Sequence, residues 1–130
     1  MSLSPTLQKL TNILGPTKIA KPVTEAIQWQ EGMDITLHVS GDSLTLLANI
    51  IELRTDPKDD ILLRKLLTYT FPGLRLRRGA LTINPDESAL IFSYEHDFHL
   101  LDKARFESLL ANFAETAQEL RDTATHFRFN

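Results

Sequence analysis

Three features of the sequence predict an α+β fold of order α-β-β-β-α-β-β-α, an antiparallel twisted sheet with helices packed against it. Apolar residues recur at helical spacing in three segments, further segments alternate or run apolar over strand lengths, and Gly, Pro and Asp punctuate the boundaries. At 130 residues, with 42% hydrophobic and 24% charged, the chain fits a single domain over residues 1–130, large enough for a real core but not for a second one.

Ser4 is placed to cap a first helix, and Pro5 sits at the first helical position, where a missing N–H costs nothing. Leu7, Leu10, Ile13 and Leu14 then share one face until Gly15-Pro16 stops the helix. Residues 17–23 read as an extended connector and residues 26–29 as a first strand. Ile35, Leu37 and Val39 alternate with Thr36 and His38, which marks a half-buried strand with His38 on its solvent side. Beyond the turn at Gly41-Asp42, residues 43–53 are apolar on both faces for part of their length, which predicts a strand central in the sheet or covered on both sides. Asp56-Pro57 opens a second helix, with Asp59 and Asp60 favoured by the dipole of its first turn, and Phe71-Pro72-Gly73 closes it. Strands over 79–84 and 88–94 are joined by a hairpin loop at Pro85-Asp86-Glu87. The last helix starts near Asp102, and Phe106, Leu109, Leu110, Phe113, Ala117 and Leu120 trace its apolar stripe, leaving His126 in a frayed tail.

Charge and composition narrow the function. Fourteen Lys and Arg against seventeen Asp and Glu give a net charge of −3, unlike the basic balance of a nucleic-acid binder. The absence of cysteine excludes a disulfide framework, a thiolate zinc site and a cysteine nucleophile, and suits a reducing cytosol. The start lacks the pattern of a secretory signal, and no window approaches the ~20 apolar residues of a membrane span, so neither secretion nor a membrane is expected.

No catalytic signature is present. The five glycines are too dispersed for a phosphate or dinucleotide loop, and Asp86-Glu87 is too isolated for an acid/base pair. His96 and His99 in Glu95-His96-Asp97-Phe98-His99 are the best metal candidates; the favoured reading is a solvated polar loop, and a small zinc-dependent hydrolase is the alternative. Arg75, Arg77 and Arg78 read as a solubilising strand edge, with an anion-binding patch as the alternative. The expectation is therefore no enzyme, no cofactor and no metal.

What stands out is apolar surplus. Ile61, Leu62, Leu63, Leu66 and Leu67 occupy well over half the circumference of the second helix, more than one sheet can cover. The first helix, about three turns long, is too short to be stable undocked. A tighter core than the pattern suggests would absorb the excess; otherwise part of this surface meets another chain, a twin subunit or a client.

The layout resembles the type III secretion chaperones of the Tir chaperone (CesT) family, nearest to its DspF/AvrF-like members. The resemblance is carried by Ser43-Leu-Thr-Leu-Leu-Ala-Asn-Ile-Ile-Glu-Leu53, by Ile61-Leu-Leu-Arg-Lys-Leu-Leu67, and by Gly79-Ala-Leu-Thr-Ile-Asn-Pro-Asp-Glu-Ser-Ala-Leu-Ile-Phe92 running on to Leu100-Leu-Asp-Lys-Ala-Arg-Phe106 and Phe113-Ala-Glu-Thr-Ala117. It extends from the first helix to Leu120 and is one of layout and residue class; Arg75-Leu-Arg-Arg78 has no counterpart in it.

The resemblance implies a homodimeric chaperone of the bacterial cytoplasm. It would bind the N-terminal segment of a secreted effector in extended form and keep it secretion-competent without nucleotide, with the secretion ATPase or sorting platform as a further partner. It also implies a dimer interface on the second helix, at Leu62, Leu63, Leu66, Leu67 and Tyr69. The effector groove would lie between Leu7, Leu10 and Leu14 of the first helix and Ile35, Leu37 and Leu46 of the sheet. The competing reading is a non-chaperone interaction or regulatory subunit of a secretion system.

Overall fold

The computed structural model describes residues 19–30, 32–54, 56–97 and 101–129. The helix expected before Gly15 lies outside them. In chain order the elements are β1 (Ile19–Gln30), β2 (Met33–Gly41), β3 (Ser43–Glu52), α1 (Pro57–Tyr69), a 3-10 turn (Leu74–Leu76), β4 (Ala80–Ile83), β5 (Ala89–Asp97) and α2 (Lys103–Phe129). The strands form one antiparallel sheet of order β1-β2-β3-β5-β4.

The period-two pattern sets the sheet. Leu37 pairs with Leu46 and Val39 with Leu44, so both strands turn their branched side chains to one face, where all four are buried. Strand β3 is central, as its apolar run predicts, but it is covered on one side only: Leu47 is half-buried and Asn49 exposed on the other. Strand β1 is much longer than the four residues expected, because the segment read as a connector continues it. Pro22 argued against a strand there, yet β1 is an edge strand, where a proline need not donate, and the ladder is irregular between Ile19 and Val23.

Helix α1 begins as its sequence dictates. The Asp56 carboxylate accepts from the Lys58 N–H at 2.9 Å and Pro57 occupies the first turn. Helix α2 lies across β2 and β3 and packs against α1. Its stripe of Phe106, Leu110, Phe113, Ala117 and Leu120 is buried against the sheet, with Leu109 half-buried beside it. The helix does not fray after Leu120: it runs to Phe129 and places His126 in its last turn. Two anchors explain the extra length. Ala124 is buried, and Arg128 donates at 2.8 Å to the Glu52 carbonyl and at 2.9 Å to Asp59.

The segment after α1 is not a strand edge. Leu74–Leu76 form a 3-10 turn, and Arg77 and Arg78 follow with φ of 49° and 73°. Beyond them Gly79 is fixed by packing. A Cβ there would lie 2.6 Å from Phe92 Cζ and 2.8 Å from the Ser93 carbonyl oxygen. The Phe92 ring cannot yield, because it is buried and stacked 4.9 Å from Phe113. Gly79→Ala should therefore cost about 1–3 kcal/mol in urea unfolding, the usual cost of overpacking. A loss below about 0.5 kcal/mol would show that this corner is looser than it looks.

Candidate protein-binding surfaces

Helix α1 carries the five residues expected at a dimer interface, and the fold divides them. Leu62 and Leu66 turn inward with Asp59, at one-turn spacing, and are consumed by the subunit's own core. As placed, they offer no surface to a second copy. Leu63 and Tyr69 are half-buried, and Leu67 is 54% exposed. Two further apolar side chains join Leu67 outside: Ile61 at 56% and Phe71 at 81% exposure. The width of the α1 stripe already signalled Ile61. Phe71 was masked by its position in the helix-stop motif.

Beside this face, Ile61, Arg64, Thr68 and Tyr69 of α1 and Phe127 of α2 line a groove of about 580 Å³. Tyr69 meets Phe127 edge-on with ring centres 6.0 Å apart, which fixes the groove floor.

The residues expected in an effector groove are placed differently. Leu7, Leu10 and Leu14 lie outside the described residues. Ile35, Leu37 and Leu46 are fully buried, in the core cluster they share with the apolar stripe of α2. Alternation shows that a face is covered but not what covers it. The opposite face is the accessible one. Ala26 pairs with Thr36 and Thr36 with Leu47, and this row, with Ile91 and Thr82, lines a depression of about 620 Å³. Arg121 bounds it, donating to the Asn49 carbonyl at 2.8 Å and also to the Gly32 carbonyl. His38 stands on the same face, with Nδ1 2.7 Å from the Thr24 hydroxyl. Among the described residues the outer edges of β1 and β4 have no neighbour within the sheet.

A third concavity, of about 380 Å³, lies on the α2 side. Phe92 and Tyr94 of β5, Leu109 and Phe113 of α2 and Leu76 of the 3-10 turn line it, and Arg77 is at its margin. Arg75 is held nearby, its guanidinium 4.2 Å over the Tyr69 ring and donating to the Tyr69 hydroxyl at 2.7 Å.

None of these surfaces assembles reactive groups. His96 Nδ1 lies 3.1 Å from the Asp97 carbonyl, His99 lies outside the described residues, and among the described residues no three His, Asp or Glu side chains converge as metal ligands. Hydrogen bonds from the Ser88 hydroxyl at 2.7 Å and its N–H at 3.3 Å hold the Asp86 carboxyl below its usual range, which ties the β4–β5 turn. Among the described residues no helix is long and apolar enough to cross a membrane.

A five-stranded antiparallel sheet backed by a long C-terminal helix defines an α+β domain with apolar side chains left outside its core. The model of the Tir chaperone protein (CesT) family matches residues 24–121, and the chain belongs to that family. No curated protein matches the sequence. Solved structures share the fold at low identity. A chain of the ExsC-ExsE complex superposes with a TM-score of 0.63 at 16% identity, covering 94% of this chain and 96% of that one. A chain of the ExoU-SpcU heterodimer, from the type III secretion system of Pseudomonas aeruginosa, gives 0.63 at 14%, covering 93% and 97%. A chain of the HopA1-SchA chaperone-effector complex gives 0.58 at 12%, covering 93% and 99%.

Proposed function

We propose that this protein is a cytoplasmic chaperone for a type III secretion effector. The whole chain acts as one domain that holds the effector's N-terminal segment extended and secretion-competent without nucleotide, ready for the secretion ATPase or sorting platform. The observation that carries this reading is the apolar surface left outside the core of a Tir chaperone family member: Ile61, Leu67 and Phe71 around α1, and the uncovered row at Thr36, Leu47 and Ile91 on the sheet. The HopA1-SchA structure, one chain of which shares this fold, is itself a chaperone-effector complex.

The chain works as a homodimer joined through the outer side of α1, at Leu63, Leu67 and Tyr69, with Ile61 and Phe71 extending the patch. Client segments then fill the apolar depressions and pair with exposed strand edges. Ordering an extended segment costs several kcal/mol, and each Leu- or Phe-sized anchor returns only ~1.5–3 kcal/mol, so several depressions must fill together. A long wrapped client satisfies that condition; a short peptide fills a single depression and binds only weakly.

Co-expression with an effector encoded beside this protein tests the reading. The effector's N-terminal segment should remain soluble and co-purify, and ATP depletion should change nothing. A segment that precipitates equally with and without this protein would refute the proposal.

A further inference from the structure

The arginine turn matches no feature of the family resemblance, and its backbone is strained. Arg77 and Arg78 both sit at left-handed φ, 49° and 73°, a conformation that costs a non-glycine residue of order 1 kcal/mol or more. Glycines stand close on either side, at 73 and 79, yet the two strained positions carry arginine. All three arginine side chains are exposed. Arg75 is committed to Tyr69, and Arg77 reaches Glu115 at 3.7 Å, a pair open to solvent on both sides and so worth little. Arg78 makes no ion pair among the described residues. Arg77 also lines both neighbouring concavities: the apolar one with Phe92, Leu109 and Phe113, and a second of about 290 Å³ with Tyr69, Arg75 and Glu119. Arg77 at the margin of an apolar slot, with Arg78 next to it in sequence, is a local inversion of charge in a chain of net charge −3.

We propose that this turn is a specificity element. An extended client places a large apolar side chain in the slot between Leu76, Phe92, Leu109 and Phe113, and acidic residues flanking that anchor pair with Arg77 and Arg78. The inference rests on the chaperone reading above and adds the chemistry of the segment it selects: apolar with acidic neighbours. Glu115 is the internal partner of Arg77, and because that pair is solvent-exposed an acidic segment displaces it at little cost.

The test is a titration of the full-length protein, followed by heteronuclear NMR, with three synthetic peptides: Glu-Glu-Phe-Glu-Glu, Lys-Lys-Phe-Lys-Lys and Glu-Glu-Ser-Glu-Glu. The first should shift the resonances of Leu76, Leu109 and Phe113, weakening as salt is raised, and the other two should bind at least fivefold more weakly. The double variant Arg77→Glu/Arg78→Glu should weaken the acidic peptide by about tenfold and reverse the preference. Arg78→Gly separates binding from folding, because it relieves the backbone: it should melt no lower than the parent yet bind the acidic peptide less well. Equal binding of acidic and basic peptides, shifts confined to other surfaces, or no binding would overturn the arginine proposal. None of these results would touch effector capture by co-expression, whose own failure would instead remove the chaperone reading.

Discussion

Leu66→Asp should yield no folded protein, whereas Leu67→Asp, one residue on, should fold normally and lose self-association. Leu66 is fully buried, with every side of its side chain in the core shared by α1, α2 and the sheet. Truncating such a residue costs about 2–5 kcal/mol. An unpartnered carboxylate in its place adds several more. Together these rival the ~5–15 kcal/mol that holds a domain of this size together. Leu67 is 54% exposed on the outer side of α1. Its replacement should change stability by no more than about 0.5 kcal/mol. In a two-fold dimer the substitution occurs twice across one interface, so dimer dissociation should rise about tenfold for each copy. Circular dichroism reads the first effect and light scattering the second. A folded Leu66→Asp would refute the core assignment, and a Leu67→Asp dimer as tight as the parent would refute the interface.

Asp59→Ala or Arg128→Ala should destabilise the fold by about 2–4 kcal/mol, because each leaves a charge with little solvent to turn to. Asp59 holds three parts of the chain together. Its Oδ2 accepts from the Arg54 N–H at 2.5 Å, its Oδ1 accepts from Arg128 at 2.9 Å, and Arg128 also donates to the end of β3. Burial pushes the Asp59 carboxyl up, but the Arg54 N–H, the Arg128 hydrogen bond and the two positive charges outweigh it, leaving the group below its ordinary 3.8. Folding therefore favours the carboxylate. That contribution is complete above the unfolded value and is lost as pH falls through the lower folded value. In urea titrations the parent should lose stability more steeply than Asp59→Asn as pH drops below about 4. Parallel curves would show that the pair is not coupled to protonation.

The alternation of β2, both ends of α1 and the stripe of α2 were legible because each rests on local chemistry: apolar residues at every second position through Leu37 and Val39, the cap at Asp56, the stop at Phe71-Pro72-Gly73. What could not be read was anything decided by the far side of a contact. Ile35, Leu37 and Leu46 carry the same pattern whether the subunit's own core or a client covers them, and they are fully buried within the subunit's core. Leu62 and Leu67 look alike in sequence, yet the direction in which α1 packs separates core from surface. The last turns of α2 depend on Asp59, which lies 69 residues before Arg128. The turn at Arg77 and Arg78 had no signal, since arginine does not announce a left-handed backbone.

The central claim is that the surface left open by this fold belongs to another chain. The measurement that tests it most directly is limited proteolysis of the complex captured with an effector, followed by intact mass analysis of what survives. One contiguous N-terminal effector fragment should resist digestion while bound to a pair of copies of this protein, and should be degraded once released. An effector cut to completion in the presence of excess protein, or protected as a globular C-terminal domain instead, would contradict the account.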